Sequence, residues 1–235
     1  MKNKTAIVAK LIEHGKQYYQ PDAARVPQEV LSDPFAFLIG AAFNNGMCHQ
    51  QAWKIPLCIK REGLLDAAKL AAMEEQELQR LLESLSIKPR WGYERGVKTL
   101  KDAAMLVMAH GGDASAIWRN SSSQETVRKL QCIYGVGKHI ASMIVRILRD
   151  NLGMFSEQKH EIDVKSDVHL MRVFKRAGLT ETVSDVAAVN AARELHPEFP
   201  GALDWPAWNI GRKWCYSDGP NCTQCPLDAV CEKAI

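Results

Sequence analysis

The sequence predicts an all-α protein. Apolar residues recur with the helical period of about 3.6 residues along most of the chain, and no stretch alternates apolar and polar side chains as a half-buried strand would. Capping patterns and glycines divide these apolar segments into lengths typical of helices. Hydrophobic residues make up 46% and charged residues 24% of the 235 residues, the composition of a soluble globular protein with enough material for a core.

Local signals place the ends of the helices. Asp33 followed by Pro34 is an N-cap and first-turn pair, and Ser122 with Glu125 is a capping box. The segment 151–166 is the clearest interruption of the helical pattern. The predicted helices are one through Ile7–Ile12 that Pro21 ends, one after Asp33, one over Glu74–Leu85, one over Tyr93–His110, one after Ser122, one after a glycine turn at 135–137, one from Asp167 to Gly178, and two short ones before the C-terminal cysteines.

Overall charge does not indicate a partner by itself. The formal net charge is only +3, so basic residues that bind a polyanion must be concentrated in one part of the chain. The N-terminal apolar run is too short and too interrupted for a signal peptide, and no stretch approaches the roughly 18 apolar residues of a membrane span. We therefore expect a soluble, cytoplasmic protein that does not bind a membrane, associated with the nucleoid if the source is prokaryotic.

Four cysteines lie within the last 21 residues, separated by six, two and five residues. Four thiolates this close can hold one tetrahedral ion or one cubane iron–sulfur cluster, with a cysteine at each corner. The spacing favours a [4Fe–4S] cluster, because zinc sites usually combine two Cys-x-x-Cys pairs and only one is present. A zinc site and two disulfides are the alternatives. The four are Cys215, Cys222, Cys225 and Cys231.

Three further cysteines, Cys48, Cys58 and Cys132, are scattered through apolar segments. An odd, dispersed set is typical of free thiols in a reducing compartment, and we expect these three to be buried. The same expectation weighs against disulfides among the C-terminal four.

A glycine turn, Gly135-Val136-Gly137, joins two predicted helices. Its glycines leave backbone N–H groups unobstructed at the start of the second helix, where the helix dipole also favours an anion. Five basic residues and no acidic one lie between Arg128 and Arg149, so positive charge is concentrated where the anion site is predicted. A plain helical hairpin explains the same residues, because a lone Gly-x-Gly is a weak motif.

A conspicuous carboxylate follows in Ser166-Asp167-Val168-His169. As a simple N-cap, Asp167 would contribute about 1 kcal/mol of helix stability. Its functional interpretation depends on the motifs around it. The glycine hairpin, the Asp-Val-His strip and a terminal four-cysteine loop occur in this order.

With these motifs in this order, nearly the whole chain resembles the helix-hairpin-helix DNA glycosylases of the endonuclease III superfamily. Gly135–Gly137 matches the family hairpin, and Asp167-Val168-His169 matches the strip that carries the catalytic aspartate. Gly211-Arg212 followed by the four cysteines matches the iron–sulfur loop.

The resemblance implies two helical domains that flank a DNA-binding cleft. Residues 33–150 would form a six-helix domain ending in the helix-hairpin-helix, and residues 1–32 together with 151–235 would form the iron–sulfur cluster domain. The implied enzyme acts in base excision repair: it flips a damaged or modified base out of double-stranded DNA and hydrolyses the N-glycosidic bond. The protein is expected to act as a monomer.

The resemblance also implies roles for individual residues. Asp167 would stabilise positive charge on the deoxyribose, while Gly135, Gly137 and Lys138 would hold backbone phosphate. The four C-terminal cysteines would hold a [4Fe–4S] cluster that takes no part in the chemistry.

One position departs from the family pattern. In members that also cleave the strand, a lysine two positions after the second hairpin glycine attacks the sugar, and here His139 occupies that position. Imidazole cannot perform the amine chemistry of lysine, which implies a monofunctional glycosylase in which His139 orients a water or contacts the flipped base. The alternatives are a catalytically silent DNA- or lesion-binding protein, and a bifunctional glycosylase/lyase that uses Lys138 or Lys165.

The helix after Asp33 ends in Phe43-Asn44-Asn45-Gly46, where the family lines its base pocket. The amides of Asn44 and Asn45 can pair with the base left behind by the flipped one, and a helix C-cap is the alternative. A substrate pocket would then be formed by the Phe43–Gln51 segment with His139.

Adenine in a mismatch is a disfavoured substrate. The branch that removes it carries a pocket glutamate, and no acidic residue lies between Pro34 and Lys60. That branch also has an additional C-terminal domain, for which four residues after Cys231 leave no room. Trp91, in a turn that approaches DNA in relatives, is expected either to stack on DNA or to pack in the core.

Overall fold

The computed structural model describes residues 3–18, 26–45 and 47–234. Helices dominate these residues and none of them forms a β-strand, which confirms the predicted all-α class. No helix in the described ranges is long and apolar enough to cross a membrane. The α-helices are α1 (Lys4–Tyr18), α2 (Gln28–Leu31), α3 (Pro34–Ala42), α4 (His49–Arg61), α5 (Ala67–Ala72), α6 (Glu75–Ser84), α7 (Tyr93–Ala109), α8 (Ser123–Leu130), α9 (Lys138–Leu152), α10 (Val168–Ala177), α11 (Asp185–Leu195) and α12 (Asp204–Lys213).

Predicted caps begin two of these helices. The Asp33 carboxylate accepts hydrogen bonds from the N–H groups of Phe35 and Ala36 at 3.0 and 3.1 Å, at the start of α3. Ser122 and Glu125 form the reciprocal capping box of α8. Both predictions are confirmed, because these side chains satisfy N–H groups that have no partner within the helix.

The predicted helices over Glu74–Leu85 and Tyr93–His110 are confirmed as α6 and α7. Gly111 and Gly112 follow α7 with φ of 75° and 82°. This left-handed conformation favours glycine and stops the helix.

The sequence did not predict α4 and α5. Helix α4 begins with the polar His49–Gln51 and contains Pro56, which lacks a backbone N–H, so the segment does not look helical locally. Burial of its apolar face stabilises it nonetheless, through Ala52, Trp53, Ile55 and Ile59. The predicted helix stop at Pro21 and the glycine of the predicted Asn-Gly cap, Gly46, lie outside the described residues.

The chain divides into two compact units. The hairpin unit spans Pro21–Phe155, and the cysteine unit combines Met1–Gln20 with Ser156–Ile235. In the hairpin unit, α3 is buried from Phe35 to Ala42 and packs against α4, α7 and α9. A Cβ built on Gly40 would lie 2.4 Å from the Trp53 ring, so glycine is what permits the close contact between α3 and α4.

In the cysteine unit, α12 packs against both α1 and α10. Gly211 of α12 lies against the first turn of α10, where a Cβ would come within 2.8 Å of the His169 carbonyl oxygen. A larger residue would push α10 away, so Gly211 positions the start of the helix that Asp167 caps. The apolar core of this unit includes Ile7, Leu11, Phe174 and Ile210.

All seven cysteines lie in the described residues and are free thiols, so the disulfide alternative is not realised. The prediction that the three dispersed cysteines are buried is wrong for two of them. Cys48 and Cys132 are exposed, because one precedes α4 and the other lies in the turn after α8, while Cys58 is partly buried in α4.

Candidate functional site

The glycine hairpin joins α8 to α9 in the hairpin unit. Gly135 has φ of 80°, a left-handed conformation that favours glycine, and Gly137 is the N-cap of α9. No atom lies within 4 Å of a Cβ built on Gly137, so the backbone at the start of α9 borders open space. Lys138 and His139 are both exposed in the first turn of α9. The geometry is that of an anion site at a helix N-terminus.

Three side chains from elsewhere in this unit hold the hairpin in place. The Tyr134 N–H donates to Asp102 Oδ2 at 3.0 Å. The Thr99 hydroxyl shares its one proton between the Arg95 carbonyl at 2.9 Å and the Tyr134 carbonyl at 3.1 Å. The Asn45 amide donates to the Gly135 carbonyl at 2.8 Å. Thr99 and Asp102 were not predicted, because α7 is amphipathic and already carries Glu94, Arg95, Lys98 and Lys101, so two more polar side chains give no local signal.

Asn44 and Asn45 are both partly buried just after α3. The Asn44 amide donates to the Gly40 carbonyl at 2.8 Å, so each of the two amides makes a bond to backbone. His49, Gln50 and Gln51 begin α4, where all three are exposed.

A shallow pocket opens beside the hairpin within the same unit. Trp91 is 51% exposed at this pocket, and the Arg90 guanidinium lies 4.6 Å from its ring. Among the residues that the structure describes, no Asp or Glu lines the pocket, and neither does His139. Its lining combines aromatic, basic and small residues: Ala42, Phe43, Asn45, Met47, Pro89, Arg90, Trp91, Arg95, Gly96, Thr99, Tyr134 and Gly135.

Asp167 is the N-cap of α10 in the cysteine unit. Its Oδ1 accepts hydrogen bonds from the N–H groups of His169 and Leu170, both at 3.0 Å. Helix α10 ends at Gly178, as predicted, with φ of 83°. These two bonds hold the partly exposed Asp167 carboxylate in one orientation. A carboxylate fixed in this way can stabilise positive charge that develops on a substrate.

Helix α10 also binds the segment that carries the first C-terminal cysteine. Arg172 donates to the Cys215 carbonyl at 2.7 Å and to the Gly211 carbonyl at 2.8 Å. One turn later, Arg176 donates to the Ser217 carbonyl at 2.8 Å and contacts Cys215 Sγ at 3.6 Å. Sequence patterns did not reveal these two arginines, because their partners lie about 40 residues away.

The four C-terminal cysteines line one cavity, together with Arg176 and Trp214. Burial, and then the neighbouring cysteine thiols, raise the pKa of Cys225 to about 11; burial also raises the pKa of Cys231. Four thiols in one partly buried cavity are chemically suited to a positively charged inorganic centre, which would favour their thiolate forms. Within the described ranges, however, no three His, Cys, Asp or Glu side chains are arranged to hold a metal ion.

The chain is all-helical in its described residues, with a glycine hairpin, a carboxylate that caps a later helix and four cysteines in its last segment. It has the fold class of endonuclease III and of a thymine-DNA glycosylase, which confirms the fold that the resemblance in its motifs implied.

Solved structures of this class align with nearly the whole chain. A trapped covalent intermediate of endonuclease III with DNA, an estranged-adenine complex, is 20% identical with a TM-score of 0.64, covering 99% of this chain and 97% of that one. A non-covalent endonuclease III–DNA complex gives 20% identity, a TM-score of 0.63 and the same coverage. A thermostable thymine-DNA glycosylase is 14% identical with a TM-score of 0.64, over 99% of this chain and 96% of that one.

Among curated proteins, the thymine-DNA glycosylase of Aeropyrum pernix is similar to this chain. The two are 24% identical over 230 residues, which is 96% of this chain and 93% of the relative. No protein-family model matches the chain.

Proposed function

We propose that this protein is a DNA glycosylase that removes a damaged, modified or mismatched base from double-stranded DNA. The observation that carries the proposal is Asp167, a carboxylate fixed by two hydrogen bonds at the head of α10 in a chain with the endonuclease III fold. The N-glycosidic bond is unreachable inside the duplex, so the target nucleotide must first leave the stack.

Asp167 would act on the deoxyribose. When the bond from C1′ to the base nitrogen breaks, its electron pair leaves with the base and positive charge develops on the sugar. A carboxylate already held in place stabilises this charge without having to reorganise. A water molecule, which Asp167 helps to position, then forms the new C1′–O bond, and the proton it loses passes through solvent to the departed base anion.

Basic and glycine-rich segments would bind the DNA backbone. In the hairpin unit, the open amides at Gly137 and the exposed Lys138 suit a phosphate. In the cysteine unit, Arg212 and Lys213 are exposed just before the cysteine loop, and the Arg212 guanidinium lies 5.1 Å from the Trp208 ring. Such contacts are independent of sequence and would position the duplex rather than select the base.

Residues of the shallow pocket beside the hairpin could contact a flipped base. The rings of Trp91 and Tyr134 offer stacking surfaces, although the Arg90 guanidinium and the Lys98 ammonium already lie over them. Arg95 offers hydrogen-bond donors, and among the described residues no carboxylate lines the pocket to accept from an amino group. A base rich in carbonyl oxygens therefore matches this lining better than adenine. Thymine, the base named in the Aeropyrum pernix relative, has this character.

A substrate panel tests the function directly. Duplexes with one thymine or uracil opposite guanine, one oxidised pyrimidine, or one adenine opposite oxidised guanine are incubated with the protein and treated with alkali. We expect cleavage at a carbonyl-rich pyrimidine, reduced about tenfold or more by Asn45→Ala, because Asn45 lines the pocket and a substrate group that loses its polar partner there costs several kcal/mol. Asn44→Ala is the control, since Asn44 does not line the pocket and its amide bonds to the Gly40 carbonyl. Strong adenine release that Asn45→Ala leaves unchanged would contradict this assignment, and measured DNA affinity separates base recognition from the loss of the bond between Asn45 and the Gly135 carbonyl.

We infer further that the enzyme is monofunctional, because His139 stands where strand-cleaving relatives have lysine. Borohydride is expected to trap no covalent protein–DNA adduct, and strand cleavage should require added alkali. A trapped adduct that disappears in Lys138→Ala, but persists in Lys165→Ala, would show that Lys138 acts as the nucleophile. Tight lesion binding with no base release across the panel would instead identify a catalytically silent lesion-binding protein.

We assign a [4Fe–4S] cluster to Cys215, Cys222, Cys225 and Cys231. At a Zn–S distance of about 2.3 Å, the four sulfurs of a zinc site lie only about 3.8 Å apart. These four thiols line one cavity, which fits a centre that takes one cysteine at each corner, and a four-iron core separates its cysteines more widely than a zinc ion does. The cluster would supply structural order to the cysteine loop, and Asp167 would act without it.

A further inference from the structure

A segment without helical or strand structure, residues 162–166, leads into Asp167 in the cysteine unit; we call it the strap. Ile162, Val164 and Ser166 are buried, whereas Asp163 and Lys165 are partly exposed. The strap ends in a tight turn, in which the Asp167 N–H donates to the Lys165 carbonyl at 2.8 Å. Because this turn ties Asp167 to Lys165, the position of the strap affects where Asp167 enters α10.

Two contacts hold the strap against the rest of the cysteine unit but do not set its orientation. The Gly201 N–H donates to the Ile162 carbonyl at 2.8 Å, and Val164 belongs to the apolar core. A single hydrogen bond leaves the segment free to rotate about that bond, and apolar packing has no preferred orientation. Neither contact therefore fixes the orientation of the strap.

A third contact is directional. Arg193, on α11, donates from Nε to Asp163 Oδ1 and from Nη2 to Asp163 Oδ2, both at 2.7 Å. Two parallel bonds between planar groups fix both distance and angle. The Asp163 side chain is 14% exposed while that of Arg193 is 53% exposed, so α11 holds the strap from its outer side.

We propose that Arg193 is a positioning residue that sets the strap, through Asp163, so that the Asp167 carboxylate is held in its working orientation. This inference rests on the proposed glycosylase function. It assigns Arg193 no contact with DNA. An ion pair this exposed adds little to global stability, so its effect is expected at Asp167 rather than on folding.

Arg193→Ala is the first test. Single-turnover base release is expected to fall about tenfold to a hundredfold, because small displacements of a reacting group are costly, while the Kd for DNA changes less than about twofold. Arg193→Lys should recover part of the rate, since an ammonium keeps the charge but not the paired bonds. Lys10→Ala, which removes an exposed ion pair with Glu13 on α1 in the same unit, is the matched control and should leave the rate unchanged.

Amide hydrogen exchange tests the same idea without any substrate. The His169 and Leu170 N–H groups bond to Asp167 Oδ1, so their exchange should accelerate about tenfold in Arg193→Ala and stay at the wild-type rate in Lys10→Ala. If the wild type releases no base, the proposed function fails while exchange still reports on the strap. Unchanged exchange at His169 and Leu170, uniform acceleration across the unit, or an unchanged release rate in an active enzyme would each overturn the role of Arg193.

Discussion

Asp167→Asn is expected to lower the rate of base release by about 10²–10³-fold, the cost of removing one preorganised electrostatic group from a transition state. DNA affinity should stay equal or rise, because the substitution removes a negative charge that repels phosphate. Asparagine is also a good N-cap, and its carbonyl oxygen can still accept from His169 and Leu170, so the stability of α10 should be kept. Single-turnover base release and the Kd for a lesion duplex measure the two effects separately.

The chain provides a matched control for this substitution. Asp33 caps α3 with the same pattern, its Oδ1 accepting from the backbone N–H groups of the second and third residues of the helix. Asp33→Asn makes the same chemical change at a cap without an assigned catalytic role, and base release should stay at the wild-type rate. Activity of Asp167→Asn within about threefold of wild type, a factor worth under 1 kcal/mol, would show that Asp167 is only a cap.

Helix ends could be predicted from the sequence because their causes are local. Asp33, Ser122 and Asp167 each satisfy N–H groups two or three residues ahead, so the cap and its partners are read from one short window. Helix α4 could not be predicted this way. Pro56 and a polar first turn make its sequence look non-helical. Pro56 lacks the N–H of one backbone hydrogen bond, and burial of α4 against α3 outweighs that loss.

The residues that hold the hairpin and the strap could not be predicted because their partners are distant in sequence. Asn45 is 90 residues from Gly135, and Asp163 is 30 residues from Arg193. Such pairs form only when helices dock, and a single sequence carries no periodic or capping signal for them. The four cysteines are the exception, since their close spacing predicts a shared site and the structure places all four on one cavity.

Contacts between α10 and the cysteine loop connect the stability of the two. We therefore expect loss of order in the loop to destabilise the helix that Asp167 caps, although the cysteines take no part in the proposed reaction. Arg172 and Arg176 project from the helix that Asp167 caps and bind the backbone on both sides of Cys215. Disorder in the cysteine loop would remove these contacts from α10. The bond-breaking step itself uses no group from the cavity.

Purified protein is accordingly expected to be brown, with broad absorbance at about 400 nm and about four irons per chain, as a cubane cluster implies. Cys225→Ser should remove the metal centre that orders the loop. Loss of several kcal/mol lowers the Tm of a chain of this length by about 10 °C, and affinity for DNA should fall with it. Iron analysis, thermal unfolding and DNA binding are measured together.

Cys132→Ser is the matched control, since it removes an exposed free thiol that lies outside the cysteine cavity. It should keep the iron content, colour and Tm of the wild type. One zinc and no iron in the wild-type protein would contradict the cluster. Full DNA affinity in Cys225→Ser after loss of the metal would show instead that DNA binding does not need the cluster, because Arg172 and Arg176 would then suffice to hold the loop against α10.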